Sequence, residues 1–244
     1  MGPTVSESIF ANAKVHLSVK KRLKRRFPNS ALGKGDEGAW VAKMKNEEAL
    51  EVVAEACKEV SYTMGIDIKP CLDIAASELF DDGSYHYKEG ELDDEGQIEF
   101  VIHLIENYGL YLVEDPLDQE DFEGYAELTK AVGDSCIIVG DDLFVTNPNR
   151  LEKGIRMGAA NAVLIKPNQV GTLTKTIKTI KLAQENGYKT IVSHRSGETM
   201  DCLISHLAVA FGCHAIKTGA VGGERTVKLN ELIRIEEGLM ELEG

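Results

Sequence analysis

No apolar run in this 244-residue chain approaches the roughly 18 residues that a membrane-spanning helix requires. The start, Met1-Gly2-Pro3-Thr4, also lacks the charged-then-apolar order of a secretory signal, so the expectation is a cytosolic protein that neither spans nor enters a membrane. Cysteine is scarce and odd in number: Cys57, Cys71, Cys136, Cys202 and Cys213 include no C-x-x-C pair. This pattern fits reduced thiols better than disulfides or a zinc site, and the thiols are expected to be mostly buried and inert. Proline is rare at 6 residues, and no linker-like or low-complexity stretch divides the chain. With 43% hydrophobic residues it can bury a real core, and it reads as one domain over residues 1–244. Positive charge is in deficit, 27 basic against 40 acidic side chains, for a net −13. That mean field repels nucleic acid and anionic membrane alike, so any bound anion needs a local basic pocket.

What the chain has in abundance is alternation. From residue 66 onward, short β-branched runs alternate with amphipathic stretches, and each run ends on a polar residue that core packing does not need. The runs are 66–73, 110–114, 137–141, 162–166, 190–194 and 215–217. Their polar ends, Asp73, Glu114, Asp141, Lys166, His194 and Lys217, are spaced 41, 27, 25, 28 and 23 residues apart. One strand plus one helix has that period. Helices are predicted over 97–108, 122–132, 149–157, 172–186 and 202–211, several followed by a glycine suited to a helix C-terminus. Two more are predicted earlier, over 9–27 and over 46–60, the second capped by Asn46. Successive β-α units imply parallel strands with right-handed crossovers, and six in a row favour a closed α/β barrel over an open sheet.

In such a barrel the strands' C-terminal ends share one face, so Asp73, Glu114 and Asp141 would form a carboxylate cluster. Like charges that close are unfavourable unless a cation neutralises them, and an all-oxygen donor set suits Mg²⁺ first. Asp142 follows Asp141, and spacing alone leaves both open as the ligand. The remaining ends carry amines and a donor group: Lys166, His194-Arg195-Ser196 and Lys217. A lysine ending an apolar strand is partly desolvated and suits a base. Acids on one half and cations on the other describe a site for a small, strongly anionic substrate, with proton abstraction beside a carboxylate as the matching chemistry. Arg195 offers a bidentate fork for phosphate or carboxylate, and Ser196 a hydroxyl donor.

Two motifs point elsewhere and are set aside. Gly33-Lys-Gly-Asp-Glu-Gly38 matches G-x-G-x-x-G, but no β-branched strand precedes it and Asp36-Glu37 would face a pyrophosphate. The basic run Lys20-Lys-Arg-Leu-Lys-Arg-Arg26 falls at a predicted helix end, where cations complement the dipole, and reads as a solvated helix end. His16, His86, His103, His206 and His214 lack metal-ligand spacing and read as surface or satisfied buried residues rather than zinc ligands.

Seven ordered segments now combine: Gly35-Asp-Glu-Gly38, Leu72-Asp-Ile-Ala-Ala-Ser-Glu78, Val113-Glu-Asp-Pro116, Gly140-Asp-Asp-Leu143, Ile165-Lys-Pro-Asn-Gln-Val-Gly-Thr172, Ser193-His-Arg-Ser-Gly-Glu-Thr199 and Ile216-Lys-Thr-Gly219. Together they resemble enolase, phosphopyruvate hydratase, with archaeal members most alike. The resemblance implies a TIM-like barrel and the reversible dehydration of 2-phosphoglycerate to phosphoenolpyruvate with two Mg²⁺. It implies Asp73, Glu114 and Asp141 as metal ligands, so it favours Asp141 over Asp142. Lys166 would be the base at C2, and Glu37 the acid that helps the C3 hydroxide leave. Arg195 and Ser196 would contact phosphate, His194 the substrate, and Lys217 the substrate carboxylate. Family members are longer, with an N-terminal α+β domain and two further barrel strands before this region. The expected barrel is therefore incomplete, with about six of eight strands, and open edges invite a second copy or a complementary N-terminal chain. A non-catalytic binding or assembly protein is the competing expectation.

Overall fold

The β-branched runs form strands where both faces can be covered, and these strands build the parallel sheet of the computed structural model, which describes residues 4–243. Met1, Gly2 and Pro3, on which the reading of the chain's start rests, and Gly244 lie outside those residues. The chain divides into two compact units. One comprises Pro70–Ser193 and Phe211–Ala215; the other comprises Met1–Lys69, His194–Ala210 and Ile216–Gly244.

In the first unit the strands are Cys71–Asp73, Leu112–Glu114, Ile137–Gly140, Ala162–Ile165 and Lys189–Ser193, and a sixth, Ala215–Lys217, begins there. Each strand lies beside the one before it in sequence, so the sheet is a curled, six-stranded parallel half-barrel. Asp73 stands opposite Glu114 in register, and Glu114 opposite Val139. Ile137, Val139, Ala162, Leu164 and Ile191 pack as one buried cluster with Leu112 against it. The alternate residues Val113, Ile138, Val163, Ile165 and Val192 are fully buried as well, so both faces of the sheet are covered, as a parallel sheet requires.

The expected strands end one residue early in three cases, leaving Asp141, Lys166 and His194 just beyond the last paired residue. The spacing of 41 residues has its own cause: an antiparallel sheet of Phe80–Asp81, Ser84–Tyr87 and Gly90–Leu92 is inserted between Asp73 and the next helix. Residues other than glycine take positive φ just past two strand ends, at Ala75 (48°) and Asp115 (42°), and in the loop between Gly140 and the next helix, at Val145 (43°) and Thr146 (56°). Strain of that kind gathers where a turn is shaped for a task.

The second unit is mainly helical. Helices Val5–Arg26 and Asn46–Met64 pack together, and Arg22 pairs with Glu55 and Glu59 while Arg26 pairs with Glu48 and Glu51. The basic run is thus in part an interhelical ladder rather than only a solvated end. Asn46 is the first helical residue, not the cap; Lys45 holds that position, and its N–H donates to Glu48 at 3.0 Å. The G-x-G-x-x-G segment forms the turn of a two-stranded hairpin, Gly33–Lys34 with Trp40–Val41, which removes the strand-to-helix setting a dinucleotide needs. The long helix Gly223–Glu243, absent from the predicted elements, closes the unit. Its Glu236 accepts from the N–H groups of Val5 and Ser6 at 2.6 and 3.0 Å and so caps the first helix. Of the five thiols, Cys57 and Cys136 are buried, Cys202 and Cys213 partly so, and Cys71 is exposed, fewer buried than expected. Among the described residues no helix is long and apolar enough to cross a membrane.

Candidate functional site

In the first unit, the turns after successive strands bring acids together. Ligand atoms of Asp115, Asp141 and Asp142 all lie within 4.8 Å of one another. Asp115 is the organiser: its two carboxylate oxygens accept from the N–H groups of Asp141 and Asp142, each at 2.9 Å, and the buried Tyr125 hydroxyl donates to it at 3.1 Å. Lys166 donates to Asp141, and Gln169 Nε2 reaches the other oxygen of Asp141 at 3.3 Å. The Thr146 hydroxyl oxygen accepts the Lys166 backbone N–H at 2.9 Å, fixing where the lysine leaves the strand.

Electrostatics marks this group as short of positive charge. Burial pushes the Asp115 carboxyl from its ordinary 3.8 up to about 7; the charges of Asp141 and Asp142 add to the rise, and the two backbone bonds oppose it. Asp142 is raised by burial first and then by Asp141, with Asp73 and Glu78 adding and Lys166 opposing. Crowded, buried carboxylate oxygens are the donor set of a hard divalent cation, so the residues present fit Mg²⁺. Asp73 and buried Glu114 stand side by side in register on the neighbouring strands but fall outside the closest trio. The expected grouping named Asp73, Glu114 and Asp141; the structure also brings Asp115 and Asp142 close to Asp141. Asp115 was missed because it lies past the strand end, where alternation stops predicting direction.

Asp115 yields a test by pH. A carboxyl whose folded pKa is raised contributes stability that is complete below about 4 and is lost as pH rises through about 7. The metal-free chain should therefore lose up to a few kcal/mol across that window. Denaturant titrations at several pH values should show a flatter profile in Asp115→Asn, and also in the native chain with Mg²⁺ added. A profile equally steep in the variant would assign the dependence to other groups.

The second unit holds the other expected residues. Ser196 Oγ donates to Glu37 Oε1 at 2.8 Å, and His194 Nε2 lies 3.2 Å from Glu37 Oε2. Behind them is a fully buried guanidinium. Arg225 donates to His194 Nδ1 at 2.8 Å and to the carbonyls of Arg195 and Ser196 at 2.6 and 2.8 Å. Since Nδ1 accepts, the proton of the neutral imidazole is on Nε2, facing Glu37. Burial holds His194 below the ordinary histidine range, helped by Arg225 and Lys217 and opposed by Glu37. For Glu37, burial pushes up, but the Ser196 bond together with His194, Lys217 and Arg225 outweighs it, and the carboxyl sits below its usual range. It is held here as a carboxylate. The Lys217 carbonyl accepts from the His194 N–H at 2.9 Å, which ties the two strand ends.

The hairpin carrying Glu37 depends on Gly38, at φ +79°, where an added Cβ would fall 2.8 Å from the Val221 carbonyl oxygen. Only glycine fits both that conformation and that approach. Lys228, also buried, donates to the carbonyls of Thr199 and Glu224 at 2.8 and 2.9 Å and stands 3.6 Å from Glu198. Neither Arg225 nor Lys228 was expected, because both belong to the unforeseen last helix.

Fold and residues together define an incomplete β/α barrel whose strand ends carry acids first and basic groups afterwards. The family model for the enolase C-terminal TIM barrel domain matches residues 1–243. Enolase of Methanothermobacter thermautotrophicus is 56% identical over 237 residues, covering 96% of this chain and 57% of that protein. Enolases of Natronomonas pharaonis and Archaeoglobus fulgidus are 54% and 53% identical, each over 96% of this chain and 58% of theirs. The chain belongs to the enolase family. It spans 57–60% of the length of the curated relatives it matches.

Proposed function

We propose that the chain carries the proton-abstracting part of a cytoplasmic lyase that interconverts 2-phosphoglycerate and phosphoenolpyruvate. The observation that supports this most is Lys166 set against Asp141 in a buried carboxylate group, on a chain of this family. Lys166 serves as the base at C2. To accept a proton its amine must be neutral, with the lone pair turned toward C2, and the N–H it donates to Asp141 can hold it in place meanwhile. Asp141, with Asp73 and Glu114 as further ligands by family resemblance, and with Asp142 and Asp115 beside it, would hold Mg²⁺. When bound, Mg²⁺ supplies the charge stabilisation that an enolised carboxylate needs.

Arg195 and Ser196 bind the phosphate, Lys217 the carboxylate, and His194 contacts the substrate. Glu37 gives a proton to the departing C3 hydroxide, and the geometry offers a way to charge it. A phosphate that draws the Ser196 hydroxyl away removes the bond that most lowers Glu37 and adds negative charge nearby, and both changes favour its protonated form. The relatives' greater length supports a second part to the reading: turnover requires a complementary N-terminal portion or partner chain.

The test is deuterium exchange at C2 of 2-phosphoglycerate with Mg²⁺, run on the chain alone and with the N-terminal portion of a related enolase added. Exchange in either sample supports the lyase reading. A folded chain that is inert in both is the result expected of a non-catalytic relative and would overturn it.

A further inference from the structure

Three side chains of the mainly helical unit form a cluster that none of the roles above uses. Cys202 and His206 are four residues apart, one just before and one within helix Leu203–Ala210, a spacing that places both on one side of that helix. Glu231 comes from helix Gly223–Glu243. A thiol sulfur, an imidazole nitrogen and a carboxylate oxygen from these residues lie within 4.8 Å of one another. His206 Nε2 is 2.8 Å from Glu231 Oε1. Arg234 holds the same carboxylate by a two-point contact, Nε to Oε2 at 2.9 Å and Nη2 to Oε1 at 2.5 Å.

We propose that Cys202, His206 and Glu231 bind a borderline divalent metal ion, Zn²⁺ being the best match, which joins the two helices. Ligand chemistry carries the choice. One sulfur, one ring nitrogen and one carboxylate oxygen form a set that Zn²⁺ takes in tetrahedral sites, whereas Mg²⁺ prefers oxygen alone. Three protein ligands leave the fourth position to water. Arg234 has the place of an outer partner that orients the ligating carboxylate while each oxygen keeps a lone pair for the ion. The partial exposure of all three residues provides an entry path. Binding converts the Cys202 thiol to a thiolate, and its proton passes to solvent, so uptake strengthens as pH rises. The sequence reading put His206 among surface or satisfied residues, since its i,i+4 partner is a cysteine and its third neighbour lies 25 residues further on.

The test uses Co²⁺ as a spectroscopic stand-in, added to the full chain in excess Mg²⁺ so that the all-oxygen group is occupied. One equivalent should produce a thiolate-to-cobalt charge-transfer band in the near ultraviolet, and added Zn²⁺ should bleach it. Cys202→Ser should abolish the band, and His206→Gln should weaken binding by about tenfold or more. Cys71→Ser, which removes the exposed thiol, should leave the band unchanged. Zn²⁺ should also raise the Tm of the native chain but not of Cys202→Ser. Circular dichroism verifies that each variant is folded. A folded native chain with no charge-transfer band overturns the proposal, as does a band that persists in Cys202→Ser or vanishes in Cys71→Ser.

Discussion

Lys166→Ala lowers C2 proton exchange by about 10²–10⁴-fold, the usual worth of a positioned general base, while Mg²⁺ uptake survives and strengthens. The lysine follows a fully buried strand, its backbone is pinned by Thr146, and its amine meets a carboxylate rather than solvent. Removing it deletes a side-chain cation that opposes the raised carboxyl of Asp142 and leaves the acids with more uncompensated charge. A cation should therefore bind the variant more tightly, as calorimetry can measure. Lys166→Arg separates the two roles: it keeps a positive charge near Asp141 but cannot act as a base, so it should be equally inert and bind Mg²⁺ no more tightly than the native chain. Exchange retained in either variant would remove Lys166 from the chemistry.

The second large effect falls on a residue that has no place in the reaction. Arg225→Met fills a similar volume but strands the carbonyls of Arg195 and Ser196 and the donor-seeking Nδ1 of His194. Each buried acceptor left unmet costs about 1–3 kcal/mol, so the loss should reach about 3–5 kcal/mol in urea denaturation. The charge lost is one that holds His194 down, so the imidazole of the variant should titrate at higher pH than in the native chain, as NMR can follow. Unchanged stability with an unmoved histidine would mean that water replaces the guanidinium at no loss.

These two residues also mark the boundary of what the sequence made legible. Lys166 could be found because a polar residue ending an apolar strand stands out against its run. The strands themselves were recoverable for the same reason: parallel strands covered on both faces read as short continuous hydrophobic stretches. Arg225 could not be found. In helix Gly223–Glu243 it occupies an inward position together with Lys228 and Leu232, at spacings of three and then four. Two of three inward places are thus charged, and the apolar stripe that announces an amphipathic helix is erased. Asp115 escaped for a different reason. It lies in a turn with positive φ, and periodicity carries no information about direction there. Glu37 became visible only through family resemblance, since its hairpin shows neither alternation nor helical period.

The carboxylate of Glu236 meets the first turn of helix Val5–Arg26 from 231 residues away in sequence. Loop closure over so long a separation precedes the contact, so the opening turn of that helix gains this acceptor only once the last helix has docked, and the two are coupled in folding.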